Sequence, residues 1–90
     1  MSEQKLQTKI LSYLKQQGYW TVKTIVCNRS GIMDIIACAP GGRFVGIEVK
    51  FGKNKASKLQ EYNISEVNKR GGLAFVVWSM EELQECLKLV

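Results

Sequence analysis

Apolar residues near the start of the chain recur at the spacing of an α-helix. They form one stripe among Lys, Gln and Ser residues, at Leu6, Ile10, Leu11 and Leu14. This pattern predicts an amphipathic helix from about Glu3 to Gln17, with its apolar face turned to the core. Ser2 can cap the start of this helix, and Gly18 is a usual residue at a helix end.

Three runs rich in aromatic and β-branched residues follow and predict three strands. These runs are Tyr19–Val26, Gly31–Ala39 and Arg43–Phe51. Pro40-Gly41-Gly42 separates the second run from the third and is a strong turn signal. The three strands are therefore expected to form a meander.

A second amphipathic helix is predicted from about Ser57 to Lys69, after a basic loop. Its core-facing residues are Leu59, Ile64 and Val67, and Gln60 lies within the same arc. At about 100° per residue these positions span a broad apolar side, which is typical of a helix packed on a sheet. Gly71-Gly72 marks the end of this helix.

The last third of the chain predicts one more strand and one more helix. Leu73–Trp78 is nearly continuously apolar, as in a strand buried on both faces. Ser79 and Glu82 make a capping box for the final helix. The element order α-β-β-β-α-β-α predicts a single α/β domain over residues 1–90, with a mixed four-stranded sheet flanked by helices.

Composition and charge narrow the class of protein. The chain has 90 residues, 46% of them hydrophobic, and a net charge of +5. This charge can indicate a polyanionic partner such as nucleic acid, or it can belong to a basic surface that is merely solvated. No apolar run is long enough to span a membrane, and the polar residues that lead into the first helix are not expected to act as a signal peptide. Three cysteines without a CxxC pair argue against a disulfide framework. We expect a cytoplasmic protein, in the host cytoplasm if a phage encodes it.

One predicted strand carries two charges on the same face. Because side chains alternate along a strand, Glu48 and Lys50 project together from the third strand. If the Pro40–Gly42 turn is a three-residue loop, Ala39 lies opposite Arg43, and counting back places Asp34 opposite Glu48. Two opposed carboxylates destabilise a sheet unless a cation lies between them, and Mg²⁺ accepts such oxygen ligands.

These residue types suit phosphodiester hydrolysis. Asp34 and Glu48 would hold Mg²⁺, or Mn²⁺ in its place, together with the main-chain carbonyl of Val49. Lys50 would orient or activate a water molecule and offset charge on the phosphate. The alternative is an exposed acidic residue beside an ordinary Glu–Lys pair, because a D…ExK pattern alone is weakly specific.

Further segments extend this pattern through most of the chain. They are Glu3 with Leu6-Gln7, Ser30–Ile36, Gly42–Lys50, Gln60, Gly71-Gly72 and Val76–Ser79. From Glu3 to Trp78 the chain resembles the virus-type replication-repair nuclease (VRR-NUC) domain, and beyond it the Holliday-junction resolvases of the PD-(D/E)xK superfamily. The resemblance implies a restriction-endonuclease-like αβββαβ core. Two positions depart from it: Met33 replaces the usual Pro, and Ile64 replaces a Tyr found in related exonucleases.

The resemblance also implies roles for individual residues. Asp34 and Glu48 are expected to bind the metal ion, with Glu3 as a further ligand, and Lys50 and Gln60 to act in catalysis. An acidic residue in the first turn of a helix is also favoured by the helix dipole, which would explain Glu3 equally well.

Basic residues around these positions predict how a substrate is held. Lys53, Lys55 and Lys58 lead into the second helix, and Arg29 and Ser30 precede the Asp34 strand. A basic loop at a helix N-terminus suits phosphate, so recognition of the backbone is expected and not of base sequence.

The leading hypothesis is therefore a DNA endonuclease that cuts four-way junctions as a homodimer, since two symmetric cuts need two active sites. Trp20 and Trp78 are expected in the core or in the subunit interface. The alternatives are a nicking or flap-type nuclease in repair or defence, an inactive nucleic-acid-binding module, and a purely structural domain.

Overall fold

Helices and strands follow one another in the predicted order in the computed structural model, which describes all residues from 1 to 90. The elements are α1 (Glu3–Gln16), β1 (Trp20–Lys23), β2 (Ile35–Cys38), β3 (Phe44–Val49), α2 (Lys58–Lys69), β4 (Leu73–Val77) and α3 (Met80–Leu87). The side chains of Ser2, Ser57 and Ser79 each accept a backbone N–H three residues later, so every helix has a capped N-terminus.

The four strands form one mixed sheet in the order β1-β2-β3-β4. The first three strands are antiparallel neighbours, and β3 pairs in parallel with β4 through the α2 crossover. A short connection suits an antiparallel pair, whereas a parallel pair needs a longer crossover such as a helix. The predicted α/β architecture with a mixed four-stranded sheet is confirmed.

Two strands are shorter than predicted. The first ends at Lys23, which pairs with Ile35, the first residue of β2. Ile25 and Val26 therefore have no ladder partner and lie in an exposed loop, with 87% and 90% of their surface accessible. The second strand was predicted from Gly31, but this residue has φ of +74°, which is incompatible with an extended strand.

One face of the sheet packs against α1 and α3. Alternate strand residues project into a core that also receives apolar residues of both helices. The fully buried members of this core include Leu6, Ile10, Leu14, Ile35, Val45, Ile47, Val49, Val77 and Leu83. The predicted stripe on α1 is confirmed, because its members at helical spacing form this buried face.

The opposite face of the sheet is only partly covered. Helix α2 packs beside β4, where the Asn68 side chain exchanges hydrogen bonds with the backbone of Ala74 at 2.8 and 3.0 Å. Over β1 and the start of β3 the face is open, and Trp20, Val22 and Phe44 are 66%, 39% and 41% exposed. The prediction that Leu59 faces the core is wrong, because this residue is 47% exposed and Asn63 is the buried residue of α2.

Two further features bear on the class of protein. None of the three helices combines the length and the apolar content that a bilayer crossing requires. Cys27, Cys38 and Cys86 are all free thiols.

Candidate active site

The hairpin between β2 and β3 has the register predicted from its loop length. The backbone N–H of Ala39 donates to the carbonyl of Arg43 at 2.9 Å, which closes the loop. From there the ladder runs without a bulge to Ile35 opposite Ile47. One further step places Asp34 opposite Glu48, at the end of the hairpin away from its loop.

Asp34 is fixed through both its backbone and its side chain. Its carbonyl accepts the N–H of Thr24 at 2.9 Å, and the Thr24 hydroxyl donates to the carbonyl of Met33 at 2.8 Å. The carboxylate of Asp34 accepts the backbone N–H of Val49 through Oδ2 at 2.9 Å. This bond holds the Asp34 carboxylate over the end of β3, where Glu48 lies.

Glu48 is a charged residue inside the protein, with 1% of its surface exposed. Its Oε2 atom lies 3.2 Å from Nζ of Lys50, the residue that follows β3, so Glu48 and Lys50 project to one side as predicted. Its Oε1 atom is also buried and has no hydrogen-bond partner. A buried carboxylate oxygen without a partner carries a desolvation penalty, and such an atom calls for a functional explanation.

The protonation of Glu48 reflects this setting. Burial raises the pKa of the Glu48 carboxyl, and the nearby Asp34 carboxylate raises it further, while Lys50 opposes both effects. The result is a pKa of about 7, compared with an ordinary value of 4.5. Without a cation the pair is therefore partly stabilised by a proton on Glu48.

The pair of carboxylates fits a divalent cation. The unpaired Oε1 of Glu48 and the Asp34 carboxylate beside it provide hard oxygen donors, which Mg²⁺ prefers. The structure contains no group of three His, Cys, Asp or Glu side chains placed to hold a metal ion, so the role of Glu3 as a ligand stays a prediction. Glu3 occupies the first turn of α1, where the helix dipole favours an acid.

Gln60 has a structural role that the sequence analysis did not assign. Its Oε1 accepts the backbone N–H of Ser57 at 2.8 Å, while the Ser57 hydroxyl accepts the N–H of Gln60 at 3.1 Å. This reciprocal pair is the capping box of α2. The catalytic role of Gln60 stays a prediction.

The basic loop after β3 is exposed and anchored at one point. Lys53 and Lys55 lie in this loop, and Lys58 is the first residue of α2; all three are exposed. The indole N–H of Trp78 donates to the carbonyl of Asn54 at 2.7 Å and so ties the loop to the end of β4. Trp78 is thus a support for this loop.

Asn63 is a second support that the sequence analysis missed. It is 5% exposed, and its amide donates to the carbonyls of Ser30 and Gly31 at 3.1 and 3.0 Å. These bonds fix α2 to the segment that leads into Asp34. The same segment carries Arg29 and Ser30 on the surface. The only sequence signal was a polar residue at a core-facing position of α2.

The largest surface groove lies elsewhere. It has a volume of about 640 Å³ and is lined by Tyr13, Pro40 and Leu87, among others. Pro40 belongs to the hairpin loop, so this groove is at the opposite end of β2 and β3 from Asp34 and Glu48. No acidic residue, His or Cys lines it.

The fold is an α/β domain with a mixed four-stranded sheet, and it carries a pair of carboxylates at one end of β2 and β3. The structure matches a solved structure described as "VRR_NUC domain", with a TM-score of 0.82 and 25% sequence identity, over 96% of this chain and 94% of that one. A second, described as "VRR_NUC domain protein", matches with a TM-score of 0.77 and 21% identity, over 100% and 91%. No family model and no curated protein matches the sequence. The chain has the VRR_NUC fold, as the sequence resemblance indicated.

Proposed function

We propose that this protein is a divalent-metal-dependent endonuclease that hydrolyses DNA phosphodiester bonds, with four-way junctions as its preferred substrate. The observation that carries the proposal is the buried, unpaired Oε1 of Glu48 beside the Asp34 carboxylate, with Nζ of Lys50 3.2 Å from Oε2 of Glu48. The VRR_NUC fold supports a nuclease activity in general.

Each residue of the site has a distinct task in this proposal. Asp34 and Glu48 would hold Mg²⁺ or Mn²⁺, together with the main-chain carbonyl of Val49. When bound, the ion polarises a phosphoryl oxygen and lowers the pKa of water. Lys50, whose Nζ is already held 3.2 Å from Glu48, orients the attacking water and offsets negative charge on the phosphate.

Backbone contacts hold the DNA beside this site. Lys53, Lys55 and Lys58 are exposed along the segment that follows Lys50. Arg29 and Ser30 are exposed on the segment that precedes Asp34. Basic side chains on the segments before and after the carboxylates suit a polyanion whose phosphates pass over the site. Contacts to phosphates do not distinguish one base sequence from another.

A four-way junction requires two cuts, which a two-fold dimer of this domain supplies. The open face of the sheet supports this assembly, because Trp20, Val22 and Phe44 form an exposed apolar row across β1 and β3. Exposed apolar patches of this kind are typical of protein interfaces. We therefore place the subunit interface on this face.

The proposal is tested by cleavage of one labelled synthetic junction with Mg²⁺ or Mn²⁺, beside a linear duplex, a flap and a single strand. Symmetric cuts in the junction, lost in Glu48→Ala, are the expected result. Cutting of the other substrates with the junction spared would replace junction cleavage by a nicking or flap-type activity. Binding without cleavage of any substrate would contradict the nuclease and leave an inactive nucleic-acid-binding module.

A further inference from the structure

A groove of about 460 Å³ lies between α2 and the segment that leads into Asp34. Its volume is within the range of small-molecule sites, which begins at roughly 300 Å³. The residues that matter here are Arg29, Ile32, Met33, Tyr62, Val67 and Arg70. The groove is thus lined by the segment that directly precedes Asp34.

The groove combines an apolar floor with a rim that contains Tyr62, Arg29 and the Glu66–Arg70 ion pair. Met33 is fully buried at its floor, and Ile32 and Val67 are half-buried. Tyr62 is 54% exposed, so one part of its ring is free for contact. Arg29 is exposed and makes no hydrogen bond or ion pair, whereas Arg70 is paired with Glu66 at 2.9 Å.

The floor of the groove contacts the strand that carries Glu48 and directly precedes Asp34 in the chain. Met33 directly precedes Asp34, and its side chain packs over Gly46, where an added Cβ would lie 2.5 Å from Cε of Met33. Gly46 is on the same face of β3 as Glu48, two residues away. Asn63 also lines the groove and bonds to the segment at Ser30 and Gly31. The groove and the candidate active site are therefore connected through the Met33–Asp34 segment and through Gly46 of β3.

We propose that this groove binds one unpaired nucleotide of the DNA substrate. Its base stacks on the exposed ring of Tyr62 above the apolar floor, and Arg29 contacts its phosphate. A base within a continuous duplex has both faces covered by its neighbours, so only an unpaired base can offer its face to Tyr62. This inference rests on the proposed nuclease function and adds one feature to it: the bound DNA presents an unpaired nucleotide beside the cut, which at a junction is a base released from its pair at the branch point.

The test is equilibrium binding of two labelled DNAs in EDTA, where a metal-dependent nuclease does not cut. One is a continuous duplex, and the other has the same sequence with a three-nucleotide single-stranded gap. Removal of a stacking aromatic weakens binding of a base by roughly 5- to 100-fold. We expect the wild type to prefer the gapped DNA by a factor in this range.

Matched variants separate stacking from charge and from misfolding. Tyr62→Ala should remove the preference for the gap, whereas Tyr62→Phe, which keeps the ring, should retain it. Arg29→Gln should weaken binding of both DNAs. Lys9→Gln makes an equal charge change at an exposed position of α1 and should weaken binding less. Thermal unfolding of each variant checks that the fold is kept. We expect it to be kept in the Tyr62 variants, because Tyr62 is on the helix surface.

Equal binding of the two DNAs by the wild type, or a preference that survives Tyr62→Ala, would overturn the inference. Because binding in EDTA needs no cleavage, this failure is distinct from failure of the nuclease proposal. If the protein cuts DNA but has no preference that depends on Tyr62, the nuclease proposal stands and the nucleotide-binding groove is overturned. If it prefers gapped DNA through Tyr62 but cuts nothing, the groove proposal stands and the nuclease proposal is overturned.

Discussion

The backbone N–H of Val49 donates a hydrogen bond to Oδ2 of Asp34 at 2.9 Å, so a main-chain group of β3 fixes the carboxylate that precedes β2. This contact holds Asp34 beside Glu48 before any cation is bound. Preorganised ligands lose less freedom on binding, which favours affinity.

Substitution of Asp34 should therefore separate folding from metal binding. In Asp34→Asn the amide oxygen can still accept the Val49 N–H, so we expect little change in the free energy of unfolding. In Asp34→Ala the Val49 N–H loses its partner, and we expect a loss of about 1–3 kcal/mol. Both variants should bind Mn²⁺ more weakly than the wild type, as measured by calorimetry. Equal Mn²⁺ binding by Asp34→Asn would show that Asp34 is not a ligand.

Stability without metal should depend on pH through Glu48. Its folded-state pKa of about 7 is above the ordinary 4.5, so between these values the folded protein binds more protons than the unfolded chain. The stabilisation is complete below about pH 4.5 and is lost as pH rises through 7. We expect the free energy of unfolding in EDTA to fall by up to about 3 kcal/mol between pH 5 and pH 8.

Chemical unfolding at several pH values checks this, with Glu48→Gln as the control. Because Gln does not titrate, this variant should lose most of the pH dependence and be no less stable than the wild type at pH 8. Mg²⁺ should stabilise the wild type more at pH 8 than at pH 5, since the cation competes with the proton. A wild-type stability that rises between pH 5 and pH 8 would contradict the assignment.

The stability of the protein should be sensitive to substitution of Gly31, in the segment before Asp34. It has φ of +74°, and an added Cβ would lie 2.6 Å from Cγ of Leu59 and 3.0 Å from its backbone carbonyl carbon. Gly31→Ala combines backbone strain with a contact that the helix backbone cannot relieve. Gly52→Ala is the matched control, because Gly52 has φ of +63° and open space around it. We expect about 1–3 kcal/mol from backbone strain in both variants and a further loss only in Gly31→Ala. Denaturant unfolding measures the difference, and equal losses would refute the contact with α2.

The proposed subunit interface should be sensitive to charge at Trp20. This residue pairs with Cys38, which in turn pairs with Phe44, so the three form one rung on the open face of the sheet. Trp20→Glu should convert a dimer to a monomer in sedimentation equilibrium, because a buried unpaired carboxylate is costly. Leu89→Glu, at another exposed apolar residue (67% accessible) near the chain end, should leave the assembly unchanged. A wild type that is monomeric at every concentration would contradict the interface.

The hairpin shows how much local pattern can predict. A three-residue loop and the two-residue period of a strand were enough to place Asp34 opposite Glu48, because the ladder contains no bulge. The salt bridge between Glu48 and Lys50 follows from the same alternation. These contacts depend on a few neighbouring residues, so the sequence specifies them directly.

Contacts between distant segments were not predictable in the same way. Asn63 was passed over because its acceptors, the carbonyls of Ser30 and Gly31, are 33 and 32 residues away in the chain. Leu59 was placed in the core by helical spacing alone, although α2 covers only part of its sheet face. The capping role of Gln60 was readable from Ser57 three residues earlier, but the family resemblance drew attention to catalysis instead.

If Asp34, Glu48 and Lys50 form a metal-dependent nuclease site, loss of the Glu48 carboxylate should abolish cleavage, and Glu48→Gln at pH 8 removes this carboxylate. One labelled DNA junction is incubated with Mg²⁺ and the wild type, Glu48→Gln or Lys50→Met, and the stability of each protein is measured in the same buffer. We predict cleavage by the wild type alone, abolished by EDTA, although Glu48→Gln is no less stable than the wild type in EDTA. Cleavage by Glu48→Gln at the wild-type rate would contradict the account, because the buried carboxylate would then have no part in the chemistry.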